Sequence, residues 1–331
     1  MDYRKLGRTD IEVSVVAMGC WALAGGHTWG PQDEVDSIAT VYAALDAGVN
    51  FFDTAEGYGD GYSEEVLGRA LKDRRHEAVI ATKVSRRNLA PDAVLQACER
   101  SLRRLQTDFI DLYQIHWPSR EVPISETFPV LEKLRDQGKV RAIGMSNFGI
   151  GDLTDLLAIG HCQTDQLPYS LLWRAVEYEI QPKCVDENIG ILCYSPLMQG
   201  LLTGKYASPD EVPDGRARTR HFSKDRPSVR HGESGCEAET FAAIERIRQA
   251  SESVGESMAK VSLAWLLAQL GVNAVLAGAR KPGQIRETAQ AADLTLAPET
   301  IEALTEATEE VKQLLGTSPD IWGGEAESRF R

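Results

Sequence analysis

The feature of this 331-residue chain that most restricts its fold is a repeated alternation of apolar strand, polar break and helix. Apolar positions three and four residues apart predict the helices. Strands that alternate with helices pair in parallel through right-handed crossovers. The pattern is therefore typical of a closed (β/α)8 barrel or of an open doubly wound sheet. Short apolar segments predict strands at residues 15–18, 50–53, 79–82, 110–116, 140–146, 164–166, 191–194 and 274–277.

The remaining residues predict additions to such a barrel. A barrel takes about 250 residues, so the chain has room for an N-terminal hairpin, a loop insertion and a C-terminal extension. Residues 3–6 and 11–13 predict the hairpin, and residues 205–240 form a long insertion after the seventh strand. Residues 298–316 predict a terminal helix that precedes a tail. Because no Pro/Gly/Ser-rich linker divides the chain, residues 1–331 are interpreted as one barrel domain.

Two of the predicted helices have recognisable local signals. In the first helix Val35, Ile38, Tyr42 and Leu45 repeat at helical spacing. Ser257 precedes a later apolar helix and is a residue type that caps helix N-termini.

Composition restricts the class of partner. The chain has 49 acidic and 36 basic residues, a net charge of −13, which argues against nucleic acid because such binding depends on basic groups. No apolar run approaches the roughly 18 residues of a membrane span, and the charged N-terminus has no signal-like segment, which favours the cytoplasm. The six cysteines form no C-x-x-C pair, so we expect reduced thiols and no metal site. An oligomer is compatible with this composition.

Polar residues stand at the carboxyl ends of the predicted strands. Asp53 ends the second strand, Lys83 follows the third and His116 ends the fourth. In a parallel barrel these positions share the face on which barrel enzymes carry their chemistry. The later strands end in polar residues as well: Ser146, Asn147, Gln166 and Tyr194.

Tyr58, in the glycine-rich loop after the second strand, adds a proton donor to this face. A phenol has a pKa near ~10, and an ammonium about 4 Å away supplies on the order of 4 kcal/mol at an effective dielectric of ~20. We therefore expect Lys83 to lower the pKa of Tyr58 towards neutrality, where a general acid works best. Asp53 would hold Lys83, and His116 would donate a hydrogen bond to the substrate oxygen.

Each of these residues also has a structural interpretation. Asp53 and Lys83 could form an ion pair inside the barrel, Tyr58 could be an ordinary loop aromatic, and His116 could be a core histidine. Their joint position at one predicted face favours the catalytic interpretation.

Six segments in order resemble the aldo-keto reductase superfamily, from Tyr3 to about Leu304. They are NFFDTAEGYGDGYSEEVLGRAL (50–71), ATKVS (81–85), SLRRLQTDFIDLYQIHWP (101–118), VRAIGMSNF (140–148), SPLMQGLLTGKY (195–206) and AGARKPGQ (277–284). WALAGGHTWG (21–30) and GARKPGQ (278–284) are most similar to bacterial general-stress-type members. The resemblance implies a (β/α)8 barrel that reduces aldehydes or ketones with NADPH, with Asp53, Tyr58, Lys83 and His116 as the catalytic tetrad.

The same resemblance implies how NADP(H) would lie across the barrel face. Ser146, Asn147 and Gln166 would bind the carboxamide, and Tyr194 would stack on the nicotinamide. Arg280 and Lys281 would bind the 2′-phosphate, since two cations suit a phosphate dianion. The other expected cofactor contacts are Trp21, Asp53, Ser195, Pro196, Leu197, Gly200, Leu201, Lys205, Gly278, Gln284 and Glu287.

Three further regions carry expectations. Many members have Arg and Asn where this chain has Gln284 and Thr288, which leaves the adenine contacts and the preference for NADP open. The insertion is rich in arginine, and it either closes over the cofactor or is a solvated loop. The residues expected to line an apolar substrate pocket are Trp21, Trp29, Tyr58, Trp117 and Trp322.

Other functions compete with carbonyl reduction. A short-chain dehydrogenase would need Tyr-x-x-x-Lys, which is absent, and the glycines at 57–61 lack the G-x-G-x-x-G spacing. A Schiff-base aldolase would use Lys83 as a nucleophile. Channel-associated β-subunits also resemble aldo-keto reductases, so a redox-sensing subunit that binds NADP with little turnover remains the alternative.

Overall fold

The computed structural model describes the backbone of residues 1–331 and every side chain except those at positions 27 and 28. The strands are β1 (Tyr3–Lys5), β2 (Glu12–Ser14), β3 (Val16–Gly19), β4 (Phe51–Asp53), β5 (Val79–Val84), β6 (Ile110–Ile115), β7 (Val140–Ser146), β8 (Thr164–Pro168), β9 (Gly190–Tyr194) and β10 (Val272–Gly278). Strands β3 to β10 form a closed parallel barrel in chain order, in which β10 pairs with β3. The predicted barrel is confirmed, and the open sheet is excluded.

Helices connect the barrel strands and surround them. They are α1 (Gly26–Trp29), α2 (Glu34–Asp46), α3 (Tyr62–Leu71), α4 (Pro91–Leu105), α5 (Ile124–Asp136), α6 (Ile150–Leu157), α7 (Ile180–Asp186), α8 (Glu237–Val254), α9 (Met258–Leu267), α10 (Pro282–Ala289), α11 (Pro298–Ala307) and α12 (Glu309–Leu315). Ser257 caps α9 as predicted, since its side chain accepts from the Lys260 N–H at 3.3 Å. The predicted terminal helix is two helices, because Thr308 leaves helical geometry between α11 and α12. In the described part of the chain, no helix is long and apolar enough to cross a membrane.

The buried face of α2 differs from the predicted stripe. Val35 is 75% exposed and Tyr42 is 40% exposed, so two of the four apolar positions face solvent. The helix instead buries small side chains at Ser37, Thr40 and Ala44. The buried face of α2 therefore combines these small side chains with the apolar Val41 and the predicted Leu45.

The hairpin of β1 and β2 closes the amino-terminal end of the barrel. Leu6, Ile11 and Val13 are buried in one cluster with the barrel residues Phe51 and Leu112. This cluster replaces solvent at the bottom of the barrel, where burial of apolar surface stabilises the fold by about 25 cal/mol per Å². The amino-terminal end is thus filled with side chains, and polar residues are concentrated at the other end.

The insertion is an ordered loop held by its own arginines. Arg220 pairs with Glu233 at 2.7 Å and donates to the carbonyl of Leu315 at 2.9 Å. Arg226 pairs with Glu237 at 3.2 Å. The loop therefore packs against the C-terminal segment through Arg220.

The C-terminal tail folds back onto the carboxyl end of the barrel. Arg329 forms an ion pair with Asp320 at 2.7 Å, and its guanidinium carbon lies 3.7 Å from the ring centroid of Trp117. Phe330 packs edge-on against the same indole at 5.5 Å. The tail thus packs against Trp117, the residue that follows His116.

Candidate active site

Asp53, Lys83 and Tyr58 meet at the carboxyl end of the barrel. The Lys83 ammonium lies 2.5 Å from Oδ1 of Asp53, 2.9 Å from the carbonyl oxygen of Thr54 and 3.3 Å from the Tyr58 hydroxyl. Parallel neighbours β4 and β5 bring Asp53 and Lys83 together, while the turn after β4 carries Tyr58. Because Lys83 is fully buried, its three N–H groups are directed by these three acceptors.

His116 completes the group from the end of β6. Its ring stands edge-on to the Tyr58 ring, with centroids 5.6 Å apart. The predicted strand included His116, whereas β6 ends one residue earlier, at Ile115. The side chain is half-buried, so it faces the open end of the barrel and is not sealed in the core. The structure thus brings the four expected tetrad residues together on one face.

The expected lowering of the Tyr58 pKa is wrong for this arrangement. Burial raises the pKa of the Tyr58 hydroxyl, the Lys83 ammonium lowers it, and the Asp53 carboxylate raises it again. A lower pKa would follow from Lys83 as an isolated charge in a polarisable medium. In the structure the phenolate would lose its water, and the carboxylate beside Lys83 offsets much of the attraction. The phenol therefore stays protonated.

The other two tetrad members also have shifted pKa values. Burial disfavours the Lys83 ammonium, but Asp53 and Tyr58 outweigh this effect and raise the Lys83 pKa. Burial, Lys83 and Arg329 lower the pKa of His116 to about 3. The site therefore combines a charged ammonium with a neutral imidazole, which can donate one hydrogen bond.

Gln114 is a site residue that the sequence interpretation missed. It lies in β6 beside Lys83 in β5, and its amide donates to Oδ2 of Asp53 at 3.1 Å. Gln166 donates to the same oxygen at 2.8 Å. The alternation of side chains along β6 could have identified Gln114, because Leu112, Gln114 and the position of His116 lie on the same side of the strand. A fully buried glutamine at an inward position holds the carboxylate that holds Lys83.

The residues expected at the carboxamide are joined by hydrogen bonds. Ser146 donates to the backbone carbonyl of Gln166 at 3.0 Å, and Asn147 donates to the carbonyl of His116 at 3.0 Å. Tyr194 donates to the Asn147 side chain at 2.9 Å. Asn147 has a φ of +63°, a left-handed conformation that turns the chain sharply after β7. Gln166 serves Asp53 as well, a role that the sequence did not predict.

The segment after β9 forms a tightly turned cradle. Ser195, Met198, Gln199 and Gly200 all have positive φ values, between 43° and 95°. A Cβ atom at Gly200 would lie 2.8 Å from the Lys205 ammonium, so a side chain there would fill the space. The side-chain oxygen of Gln199 is buried and finds no donor among the described residues. The remaining expected cradle residues, Pro196, Leu197 and Leu201, belong to this same segment. An open backbone turn beside an ammonium fits a phosphate group.

A second basic region follows β10. A cavity of about 620 Å³ is lined by Arg280, Lys281, Gln284 and by the α2 entry segment with Gln32, Asp33 and Asp36. The Arg280 side chain donates to Gln32 at 2.7 Å and to the carbonyl of Pro31.

The other residues expected at this end of the cofactor lie on α10 or at its entry. The Gln284 side chain accepts from the backbone of Arg280 at 2.8 Å, which organises the turn. Glu287 is exposed on α10, and Gly278 ends β10 with free space beside it.

Aromatic residues surround Tyr58. The Trp21 ring stacks on Tyr58 with centroids 5.8 Å apart, and Trp29 packs edge-on to Trp21 at 5.4 Å. Trp322, from the tail, is linked to Trp21 through Arg218, whose guanidinium carbon lies 4.5 Å from the Trp322 ring centroid and 5.8 Å from that of Trp21. Trp117 lies on the His116 side, against the tail. All four expected tryptophans are therefore found at this end of the barrel.

The six cysteines are dispersed through the barrel, and one of them, Cys20, lies close to Asp53. All six thiols are free and buried, as expected from the sequence. Among the side chains that the structure describes, no cluster of three or more His, Cys, Asp or Glu residues could hold a metal ion.

Comparison with known proteins agrees with this geometry. The model of the aldo/keto reductase family matches residues 15–309. Aldo-keto reductase YhdN of Bacillus subtilis (strain 168) is 38% identical over 307 residues, covering 89% of this chain and 90% of that protein. The NADH-specific methylglyoxal reductase of Escherichia coli (strain K12) is 35% identical over 330 residues, covering 90% and 98%.

Solved structures share the whole barrel. The glycerol dehydrogenase AKR11B4 from Gluconobacter oxydans has a TM-score of 0.82 at 33% identity, covering 93% of this chain and 95% of its own. An aldo-keto reductase from Klebsiella pneumoniae in complex with NADPH has a TM-score of 0.73 at 27% identity, covering 92% and 95%. Fold and site define a (β/α)8-barrel protein of the oxidoreductase type. The chain belongs to the aldo/keto reductase family.

Proposed function

We propose that this chain reduces aldehydes and ketones to alcohols with NADPH, and that Tyr58 donates the proton. The observation that carries the proposal is the Tyr58 hydroxyl, 3.3 Å from a fully buried ammonium and beside a half-buried imidazole at the open end of the barrel. NADPH supplies the hydride, and the protein supplies position and charge.

Each tetrad residue has a separate task in this mechanism. Tyr58 keeps its proton until the carbonyl oxygen gains negative charge, and then donates it to that oxygen. Lys83 donates a hydrogen bond to the Tyr58 oxygen and stabilises the phenolate that remains. Asp53 fixes Lys83, and Gln114 fixes Asp53. Neutral His116 donates a hydrogen bond to the same carbonyl oxygen, which orients the substrate and favours charge on the oxygen.

The residues at the neighbouring strand ends fit a nicotinamide cofactor. The amides of Asn147 and Gln166 and the Ser146 hydroxyl supply donors and acceptors for a carboxamide, and the Tyr194 ring offers a face for stacking. The backbone cradle at residues 195–201 and the Lys205 ammonium suit the pyrophosphate. Trp21 and Asp53 would contact the nicotinamide end of the cofactor, close to the bound substrate.

Arg280 and Lys281 support the choice of NADPH. They are two cations at one cavity, and they suit the charge of a 2′-phosphate. Asp33 and Asp36 line the same cavity and oppose this preference, and one relative of the chain is NADH-specific. We propose NADPH as the preferred donor, with Gln284 and Glu287 near the adenosine and Gly278 leaving room for it.

The proposal is tested by loss of nicotinamide absorbance with a reactive aldehyde. Steady oxidation of NADPH supports a working enzyme with a small carbonyl substrate. A single slow turnover with tightly held cofactor would support the redox-sensing subunit instead. Trapping with borohydride and a carbonyl compound checks the aldolase interpretation, which requires a covalent adduct at Lys83.

A further inference from the structure

Arg218 lies in the insertion, beside the tryptophans Trp21 and Trp322 near Tyr58. Its guanidinium is held between two indoles, 4.5 Å from the Trp322 ring centroid and 5.8 Å from that of Trp21. Trp21 in turn stacks on Tyr58. Trp21 therefore contacts both the Arg218 guanidinium and the Tyr58 ring, which places Arg218 one aromatic ring away from the proposed proton donor.

Arg218 differs from the structural arginines of the same loop because it has no anionic partner. Arg220 and Arg226 each pair with a glutamate. Among the side chains that the structure describes, no carboxylate lies within 4.0 Å of the Arg218 guanidinium. Its Nε is buried and finds no acceptor there. The charge that bears on it is another cation, Arg230, which together with burial lowers the Arg218 pKa.

The arrangement leaves specific hydrogen bonds unused. The Arg218 side chain makes no hydrogen bond within the described part of the chain, so its terminal N–H groups remain available to a ligand. A planar carboxylate is the group that this plane binds through two parallel hydrogen bonds. A partly buried cation without a counter-ion lowers stability, and a carboxylate ligand would restore the missing partner.

The cofactor has its own basic residues. The basic atoms nearest to a Cβ placed at Gly200 belong to Lys205, at 2.8 Å, and Arg216, at 3.7 Å. Arg216 lies over Trp29 and bonds the Tyr206 hydroxyl at 3.3 Å. Lys205 and Arg216 therefore serve the cradle, while Arg218 is left on the Trp322 side.

We propose that Arg218 binds the carboxylate of the substrate, so the preferred substrates are aldehydes or ketones that carry a carboxylate several carbon atoms from the carbonyl. This inference rests on the proposed carbonyl reduction. It names the class of substrate that the site selects.

A matched pair of aldehydes tests it. The wild-type protein should reduce 4-carboxybenzaldehyde with a kcat/KM at least about tenfold above that for its neutral ester, methyl 4-formylbenzoate, because a hydrogen bond to a charged group contributes about 1.5–3 kcal/mol. Arg218→Met should abolish this preference through a higher KM for the acid. Its kcat/KM for the ester and its KM for NADPH should stay within about twofold of the wild type.

Control variants separate local binding from loop charge. Lys224→Met removes an exposed cation from the same loop and should keep the preference for the acid. Arg218→Lys keeps the charge without the planar fork and should recover part of the preference. If Arg218→Met lowered kcat/KM equally for the acid and the ester and raised the KM for NADPH, Arg218 would be assigned to the cofactor. That result would overturn the proposal. A wild-type protein without preference for the acid would overturn it as well.

A binding measurement keeps this inference distinct from the reductase function. Titration with benzoate, followed by the fluorescence of the pocket tryptophans, needs no turnover. The dissociation constant should rise at least about tenfold in Arg218→Met. Absence of turnover with both aldehydes would contradict the reductase function, whereas benzoate binding that is equal in both proteins would contradict the carboxylate site.

Discussion

Removal of the Lys83 charge should destabilise the barrel as well as stop the reaction. Lys83 is fully buried and Asp53 is 3% exposed, and their charged atoms are 2.5 Å apart. In Lys83→Met the Asp53 carboxylate stays buried with only the amides of Gln114 and Gln166 as donors. Breaking one side of a buried pair costs about 3–5 kcal/mol. We expect a loss of this size in the free energy of unfolding.

A double-mutant cycle measures whether the pair is responsible. Asp53→Asn alone leaves a buried ammonium whose acceptors are all neutral oxygens, and it should lower the free energy of unfolding by a similar amount. The double variant Asp53→Asn/Lys83→Met contains neither charge, so its loss should fall short of the sum of the single losses by at least about 2 kcal/mol. Urea denaturation of the four proteins, followed by far-UV circular dichroism, provides the values.

The result that refutes this reasoning is additivity. If the double variant loses the sum of the single losses within about 0.5 kcal/mol, the charges are not coupled and the short contact contributes no net stabilisation. Carbonyl reduction should be lost in all three variants in either case. Activity and stability therefore report on the pair independently.

Four further predictions concern the proton donor, two histidines and the cofactor cations. Tyr58→Phe should lower kcat for carbonyl reduction by about 10²–10⁴-fold while the cofactor still binds, and near-normal turnover would mean that another group donates the proton. Because the pKa of His116 is about 3, the pH profile of kcat/KM should show no inflection from its protonation between about pH 5 and 8. An inflection of that profile at pH ~6.5 that disappears in His116→Gln would contradict this. Burial lowers the pKa of His221 to about 4, so the unfolded chain takes up the proton first as the pH falls, and the wild type should lose roughly 3 kcal/mol of stability between pH 7 and 4 relative to His221→Phe. Replacing Arg280 and Lys281 with alanine should raise the KM for NADPH much more than the KM for NADH, and equal effects would argue against binding of the 2′-phosphate.

The alternating pattern predicted parallel strands in either a closed barrel or an open sheet, and the family resemblance favoured the barrel. Strand ends of a parallel barrel share one face, so Asp53, Lys83 and His116 could be placed together before any contact was known. Tyr58 could be placed on the same face because it lies in the loop that follows the strand of Asp53. The strand and helix boundaries differed by a few residues, since pairing in the barrel and not propensity decides where each element ends.

What the sequence could not predict depends on the assembled environment. The direction of the Tyr58 pKa follows from burial and from the position of Asp53 beyond Lys83, neither of which spacing reveals. The exposure of Val35 depends on which face of α2 fits its neighbours. The partners of the arginines in the insertion come from distant residues, so Arg220 and Arg218 look alike in the sequence and have opposite surroundings in the structure.

The N-terminal hairpin has a kinetic consequence. Because Leu6, Ile11 and Val13 fill the amino-terminal end of the barrel, small molecules enter and leave by the opposite mouth. We propose that the dinucleotide lies across the floor of that mouth, and it would then bind before the carbonyl compound and leave after the alcohol. Product-inhibition patterns should therefore be those of a compulsory sequence, in which the oxidised dinucleotide competes with the reduced one and the alcohol does not.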